Sequence, residues 1–380
     1  MYSGPLPPTL GLVLAQRALG HTVYLAYDSK RGAFNDFEEA AAPRLEPYDL
    51  APPSRLLTLS AKSSPGELWA DLVAVRGLVA RREVDVVHMH LSHDHLVTAL
   101  GWPRHAEAVR VRTFHAARSL LPRFGQAFVN RRADAYLCRC APHAAQLVER
   151  FAVDPARVHH IAAGFDVRGF APASRAARAA ARVRFGLPQD AFVITQVALI
   201  TDRGQHELVA ALAALPSPRP HLLFVGRGEG EAALRATVAQ LGMQTYVHFA
   251  GYLQGEDLAT GYAAADAAFV AQAGNDGSAR AALEAMAAGV SLLAVAHEAL
   301  AEMVTVRRGF PLATRAPVTI AAGVQALMAS PAECALRAQA ARAYVSGERT
   351  FGHEAEQTVA AYEAAREALS TARRCASAQE

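Results

Sequence analysis

Short stretches rich in β-branched residues alternate with helical segments from one end of this 380-residue chain to the other, and no other feature restricts the fold as tightly. Such alternation marks parallel sheets with helices packed on their faces, an α/β architecture. In the first half the pattern predicts strands over 21–27, 84–90, 110–114, 135–140 and 158–161, with helices over 10–19, 66–82 and 142–151. The first helix is expected to stop at Gly20, a residue type that often closes helices. A Pro/Ala-rich stretch at 170–174 interrupts the pattern, which then restarts. Strands are predicted over 192–199, 221–225, 246–249, 267–271 and 291–295, and helices over 229–241, 279–288 and 317–328.

A chain of this length exceeds one ordinary core. The expected organisation is two doubly wound domains in tandem, residues 1–172 and 173–352, followed by a last helix from about 353. Open α/β sheets bind ligands beyond the carboxyl ends of their strands. Two such sheets facing each other would enclose an interdomain cleft, where the chemistry is expected. The first domain has one oddity: Tyr2-Ser3-Gly4-Pro5-Leu6-Pro7-Pro8 leads straight into a helix, with no strand before it. The upstream DNA is therefore expected to encode, in frame, a short apolar strand ending at Tyr2-Ser3.

Composition narrows the function classes. Apolar residues make up 52% and charged residues 19%, which fits a folded enzyme and excludes a disordered chain. No run approaches the roughly 18 apolar residues of a membrane span, and no basic-then-apolar leader opens the sequence. Of the cysteines at 138, 140, 334 and 375, only the first two are close, and a lone C-x-C makes neither a disulfide framework nor a zinc site. A cytoplasmic location is expected. Arg104, Arg110, Arg112, Arg118, Arg123, Arg131, Arg132 and Arg139 face only Glu107 and Asp134 in the same stretch. That run reads either as a solvated surface or as a footprint for anionic lipid or an acidic acceptor, with peripheral inner-membrane contact. No nucleic-acid partner is expected.

The segment 274–289, G-N-D-G-S-A-R-A-A-L-E-A-M-A-A-G, follows an apolar strand. Asp276 or Ser278 can cap the helix, Gly289 ends it, and amides at such a start attract anions. Arg280 in the first turn opposes the helix dipole and precedes Glu284 in the weaker pair orientation. A ligand phosphate would explain its placement; a capped surface helix with an ion pair is the alternative. Asp276 and Glu284, eight residues apart, would lie about 80° apart around one helix. Both carboxylates could then accept hydrogen bonds from hydroxyls on one side.

The same segment resembles the Glu-x7-Glu motif of the family 4 glycosyltransferases, in its D-G-T-C-R-A variant, with aspartate in first place. Further motifs match in order: Gly20-His21-Thr22-Val23 with G-H-x-V, and Asp85-Val86-Val87-His88-Met89-His90 with D-V-V-H-x-H. Gly164-Phe165-Asp166 with Phe170-Ala171-Pro172 matches N-G-V-D-x-x-x-F-x-P, Val225-Gly226-Arg227-Gly228 the V-G-x-G turn, and Phe249-Ala250-Gly251-Tyr252 the F-x-G-Y strand. The resemblance implies a GT-B fold of two Rossmann-like domains, the nucleotide mainly on the second, and a final helix crossing back to the first. It implies a retaining transferase that moves a sugar from a nucleotide-sugar donor to a saccharide or lipid-linked acceptor of the cell envelope or a polysaccharide. Lipopolysaccharide synthesis is one such setting.

Carried over by position, Glu284 would hold the donor ribose and Asp276 a hydroxyl of the transferred sugar, with Gly277 and Ser278 beside it. His115 resembles the family's histidine that approaches the donor sugar; an incidental loop histidine is the plainer reading. The family's paired basic residues depart here: Leu199 takes the first position, and Arg203-Gly204 stands for the second if the loop is one residue shorter. Arg203 and Arg280 are then the phosphate ligands. Gly226 and Gly228 serve either the nucleotide or a tight turn. Gly4, in the turn resembling the family's glycine-rich loop, and His88 and His90 are placed on the acceptor side. A metal site among His88, His90, His93 and His95 is the weaker alternative. No D-x-D occurs, so neither a metal nor a cofactor is expected. The altered basic pair and missing first strand also fit a second class, a degenerate GT-B-like binding or scaffolding protein.

Overall fold

The computed structural model describes residues 6–24, 64–81, 84–103, 106–121, 125–272 and 279–377. They fall into two compact units, one formed by Met1–Gly164 with Phe351–Glu380, the other spanning Phe165 to Thr350. The chain passes between units at two adjacent places, where the Phe165 amide donates to the Arg349 carbonyl at 2.7 Å. Residues just after Phe165 belong with the second unit because Phe170 meets the Tyr262 ring edge-on, with centroids 5.9 Å apart.

The first unit contains α1 (Leu6–Ala18), α2 (Pro65–Ala80), β1 (Val86–Met89), α3 (Ser92–Gly101), β2 (Val109–Phe114), α4 (Gln126–Asn130), β3 (Ala135–Cys138), α5 (Ala141–Phe151) and β4 (Val158–His160). Its four strands lie parallel in the order β1-β2-β3-β4. Of the strand expected over 21–27, His21 to Tyr24 form none and the remainder lies outside the described residues, as does Gly4. Strand periodicity of two sorts the side chains. Met89, Phe114, Tyr136 and Cys138 pack on one face with Leu147 and Phe151. Val109, Val111, Ala135 and Leu137 pack on the other with Ala361 and Ala365. The latter two come from the helix Phe351–Ser377.

The same alternation corrects the arginine run. Arg112 and Arg139 are buried, and Arg110 is tied to Asp134 through Nε and Nη2 at 3.0 and 2.8 Å. Arg131 donates to the Phe151 carbonyl and Arg132 lies over the Phe128 ring. These residues therefore do not form one solvated face. Arg104 and Arg123 lie outside the described residues.

The second unit runs α6 (Arg175–Arg184), β5 (Val193–Val197), α7 (Gln205–Ala213), β6 (His221–Val225), α8 (Glu231–Gln240), β7 (Val247–Gly251), α9 (Gly255–Ala263), β8 (Ala267–Val270), α10 (Arg280–Ala287), β9 (Ser291–Val295), α11 (Ala299–Met303), β10 (Phe310–Leu312), α12 (Pro317–Ala329) and α13 (Pro331–Glu348). The chain then returns to the first unit as α14 (Phe351–Ser377). All six strands are parallel, in the order β10-β9-β8-β5-β6-β7. The order in which strands are added reverses between β5 and β8, which is the doubly wound order, and sheets of this kind bind ligands at that switch point.

Candidate active site

In the second unit the switch point brings together the segments that follow β5 and β8. A Cβ added to Gly204 would lie 2.7 Å from the Ala271 Cβ, and Gln272 Nε2 donates to the Asp202 carbonyl at 2.6 Å. The loop after β5 is pinned from both ends. Gln196 Nε2 donates to the Arg203 carbonyl at 2.8 Å, Gln205 Nε2 to the Leu199 carbonyl at 2.8 Å, and the Arg203 amide to Gln205 Oε1 at 2.9 Å. Leu199 thus contributes a carbonyl where the family pattern has a cation. Arg203, half-buried, sits directly before Gly204, whose φ of 82° starts α7 in the left-handed region.

Gly226 and Gly228 carry a packing requirement of their own. A Cβ on Gly226 would lie 1.8 Å from the Ala198 carbonyl oxygen, and one on Gly228 2.1 Å from that of Ile200. Backbone hydrogen bonds from Ala198 to Val225 and from Ile200 to Arg227, both donated by the amide, hold this loop against the glycine turn.

The helix of the central motif begins at Arg280, from Ala279 in a left-handed conformation with φ 52°. The N-cap is therefore Ala279, rather than Asp276 or Ser278. The angular relation expected between Asp276 and Glu284 does not apply, because the helix starts four residues after Asp276. Asp276, Gly277 and Ser278 lie outside the described residues.

Glu284 is buried, one turn into the helix. Its Oε1 accepts from Arg280 Nε at 2.9 Å, and its Oε2 lies 3.0 Å from the Tyr262 hydroxyl. Burial, then the Glu284 charge, pushes the Tyr262 phenol well above its usual range, so Tyr262 keeps its proton for the carboxylate. Arg280 is half exposed and reaches toward the carboxylate from outside. The expected ion pair is present, on a carboxylate whose orientation is fixed from two directions.

In the first unit the strand period places His88 and His90 at the carboxyl end of β1, on the same face as Thr113 of β2 and His115 just beyond it. His88 is held at both nitrogens, with Tyr362 Oη 2.6 Å from Nδ1 and Thr113 Oγ1 2.7 Å from Nε2. Gln16 Nε2 donates to the same Tyr362 oxygen at 3.1 Å. His90 Nδ1 lies 3.1 Å from His115 Nε2 and 3.4 Å from Thr9 Oγ1. Further along this face, Arg139 donates through Nη1 to Glu354 Oε1 at 2.5 Å, and Glu354 Oε2 accepts from the Gly164 amide at 2.7 Å. Tyr362 and Glu354 belong to α14, so that helix supplies the polar lining of this face.

His93 and His95 do not join this group. They lie on α3, with His93 4.0 Å from Asp71 and His95 beside the Arg132 carbonyl. Among the described residues no set of three or more His, Cys, Asp or Glu is arranged to hold a metal ion.

Burial, followed by the charges of Arg139 and Arg112, lowers His88 to about 3. Burial lowers His90 and His115 well below 6.5 and His95 to about 3. These imidazoles stay neutral in the native chain while their unfolded counterparts protonate near pH 6.5. Their contribution to stability is therefore complete above that value and is lost as pH falls toward 3, by up to about 1.4 kcal/mol per pH unit for each ring. Asp94, raised by burial, works in the opposite direction. The urea midpoint of the first unit is expected to fall between pH 7.5 and 5; equal midpoints would refute this.

Two parallel α/β sheets, the second in doubly wound order, define the class, and comparison with known proteins gives the family. Residues 9–168 match the family described as Glycosyltransferase Family 4, and residues 178–344 match Glycosyl transferases group 1. A D-inositol 3-phosphate glycosyltransferase of Geodermatophilus obscurus is 30% identical, the match covering 93% of this chain and 86% of the relative. A glycosyltransferase from Rickettsia africae has a similar structure, with TM-score 0.79 and 16% identity, covering 96% of each chain. Anabaena HepE, solved in complex with UDP and glucose, gives TM-score 0.74 and 19% identity, covering 98% of each. The chain belongs to the family 4, group 1 glycosyltransferases of the GT-B fold, and it is an enzyme that transfers a sugar.

Tyr262, Thr113, Tyr362, Gln16 and Glu354 were not singled out from the sequence. Thr113 carried a signal, two residues before His115 on a predicted strand. The two tyrosines carried none, since each meets its partner only through the tertiary fold.

Proposed function

We propose that this enzyme moves a sugar from a nucleotide-sugar donor to a saccharide or lipid-linked acceptor of the cell envelope or a polysaccharide, retaining the anomeric configuration. The observation that carries this reading is Glu284, a buried carboxylate fixed by Tyr262 and Arg280. An oriented carboxylate suits two adjacent hydroxyls, as on a ribose. Arg203 and Arg280 would stabilise the departing diphosphate, with Gly226, Gly228, Gly277 and Ser278 lining the nucleotide. Asp276 would meet a hydroxyl of the transferred sugar and His115 would approach that sugar. Gly4, His88 and His90 are assigned to the acceptor side.

Without a metal, the leaving phosphate takes the acceptor's proton, and the protein's part is electrostatic stabilisation by fixed donors. The reading places the enzyme in the cytoplasm with peripheral contact at the inner membrane. In support, α2 exposes Trp69 and Val73 one turn apart. No helix among the described residues is long and apolar enough to cross a membrane.

Calorimetric titration of the full chain with UDP-, GDP- and ADP-glucose, with and without EDTA, tests the donor site. Binding of one base in the micromolar range, unchanged by chelator, is expected, with UDP-glucose the first candidate given the HepE complex. No heat with any of the three would sink the donor assignment and favour a degenerate binding protein.

A further inference from the structure

We propose that His90 is a positioning residue for His115, fixing which ring nitrogen His115 presents to substrate. This rests on the reading above, in which His115 approaches the donor sugar. The two side chains stand one residue past the carboxyl ends of the neighbouring parallel strands β1 and β2, and His90 Nδ1 lies 3.1 Å from His115 Nε2. Their rings stack with centroids 5.3 Å apart and planes 30° apart. On its other side His90 lies against His88, with ring centroids 4.2 Å apart. His88 is itself immobilised by Tyr362 and Thr113.

Between two neutral imidazoles, one nitrogen donates and the other accepts. Whichever holds the proton, the contact occupies His115 Nε2 and leaves Nδ1 as the ring nitrogen that can meet a ligand. The histidine χ2 torsion is broad and nearly two-fold. Without His90, a half-turn about it would exchange the two nitrogens at little cost. His90 removes that freedom. Its distinction from an acceptor-contacting residue is that it acts through His115.

The test uses the full chain and the variants His90→Ala, His90→Asn, His115→Ala and the double alanine variant, with melting temperatures checked to be matched. Release of nucleoside diphosphate is followed with UDP-, GDP- and ADP-glucose, and 15N spectra of histidine-labelled protein report the His115 tautomer. His90→Ala should lower kcat about tenfold, as expected when a group that positions the transferred sugar is misplaced, and leave the donor KM within about twofold. His90→Asn, whose amide can occupy the position of Nδ1, should restore most of that loss. The double variant should match His115→Ala alone, the signature of two residues acting as one unit.

His115 nitrogen shifts should move in His90→Ala. The proposal is overturned if those shifts are unchanged, or if the two alanine losses simply multiply. If His115→Ala turns over normally while its shifts still respond to His90→Ala, the substrate role of His115 has failed and the positioning contact has not.

Discussion

Glu284→Ala is expected to weaken donor binding about a hundredfold or more while leaving the fold intact. Removing the carboxylate deletes up to two charge-assisted hydrogen bonds to ribose hydroxyls, each worth about 1.5–3 kcal/mol, and about 1.4 kcal/mol corresponds to tenfold in affinity. The cost to the free protein is smaller. The Tyr262 hydroxyl still has the Ala281 carbonyl at 3.1 Å, and half-exposed Arg280 can hydrate. Ribose contacts persist through the reaction, so the loss should appear mainly in Kd and KM and less in kcat. Glu284→Gln keeps the shape and drops the charge, and should fall between wild type and alanine. Tyr262→Phe, which frees the carboxylate to rotate, should cost less than either. Wild-type donor affinity in Glu284→Ala would remove this residue from the site.

Glu354→Ala should be the most damaging single change to stability. It leaves the Arg139 guanidinium buried without its counter-charge and strips the Gly164 amide of its acceptor. Breaking a buried pair from one side costs about 3–5 kcal/mol, which for a unit of this size lowers Tm by about 10 °C. Replacing both members, Arg139→Met with Glu354→Leu, should recover much of the loss, because an apolar pair avoids the stranded charge. The second unit contains neither residue, so its transition should stay in place. A drop below about 2 °C in the single variant would mean that water already reaches this pair.

How far the sequence revealed the site follows from where each residue's partners come from. The H-x-H of β1 was legible as two imidazoles on one face because strand period is local, and the same rule would have set Thr113 beside His115. Tyr362 was not, since it joins His88 across 274 residues, and Glu354 meets Arg139 across 215. The helices α7, α9 and α13 were missed because alanine and glycine dilute their apolar periodicity. Arg112 looked like part of a surface run because charge was counted along the chain rather than by strand face. The start of α10 was misjudged through Ala279: nothing in an alanine announces a left-handed backbone, which is unusual for any residue with a Cβ.

The return of α14 to the first sheet has a consequence for biosynthesis. A ribosome must complete the whole second unit before Ala361 and Ala365 can emerge to cover Val109, Val111, Ala135 and Leu137. During that interval the nascent first sheet carries a bare apolar face, the kind of surface on which chains stick together. Maturation of the first unit is thus gated by a segment translated only after the whole second unit. Premature termination before Phe351 would yield a finished second unit tethered to an unfinished first, a natural client for chaperones.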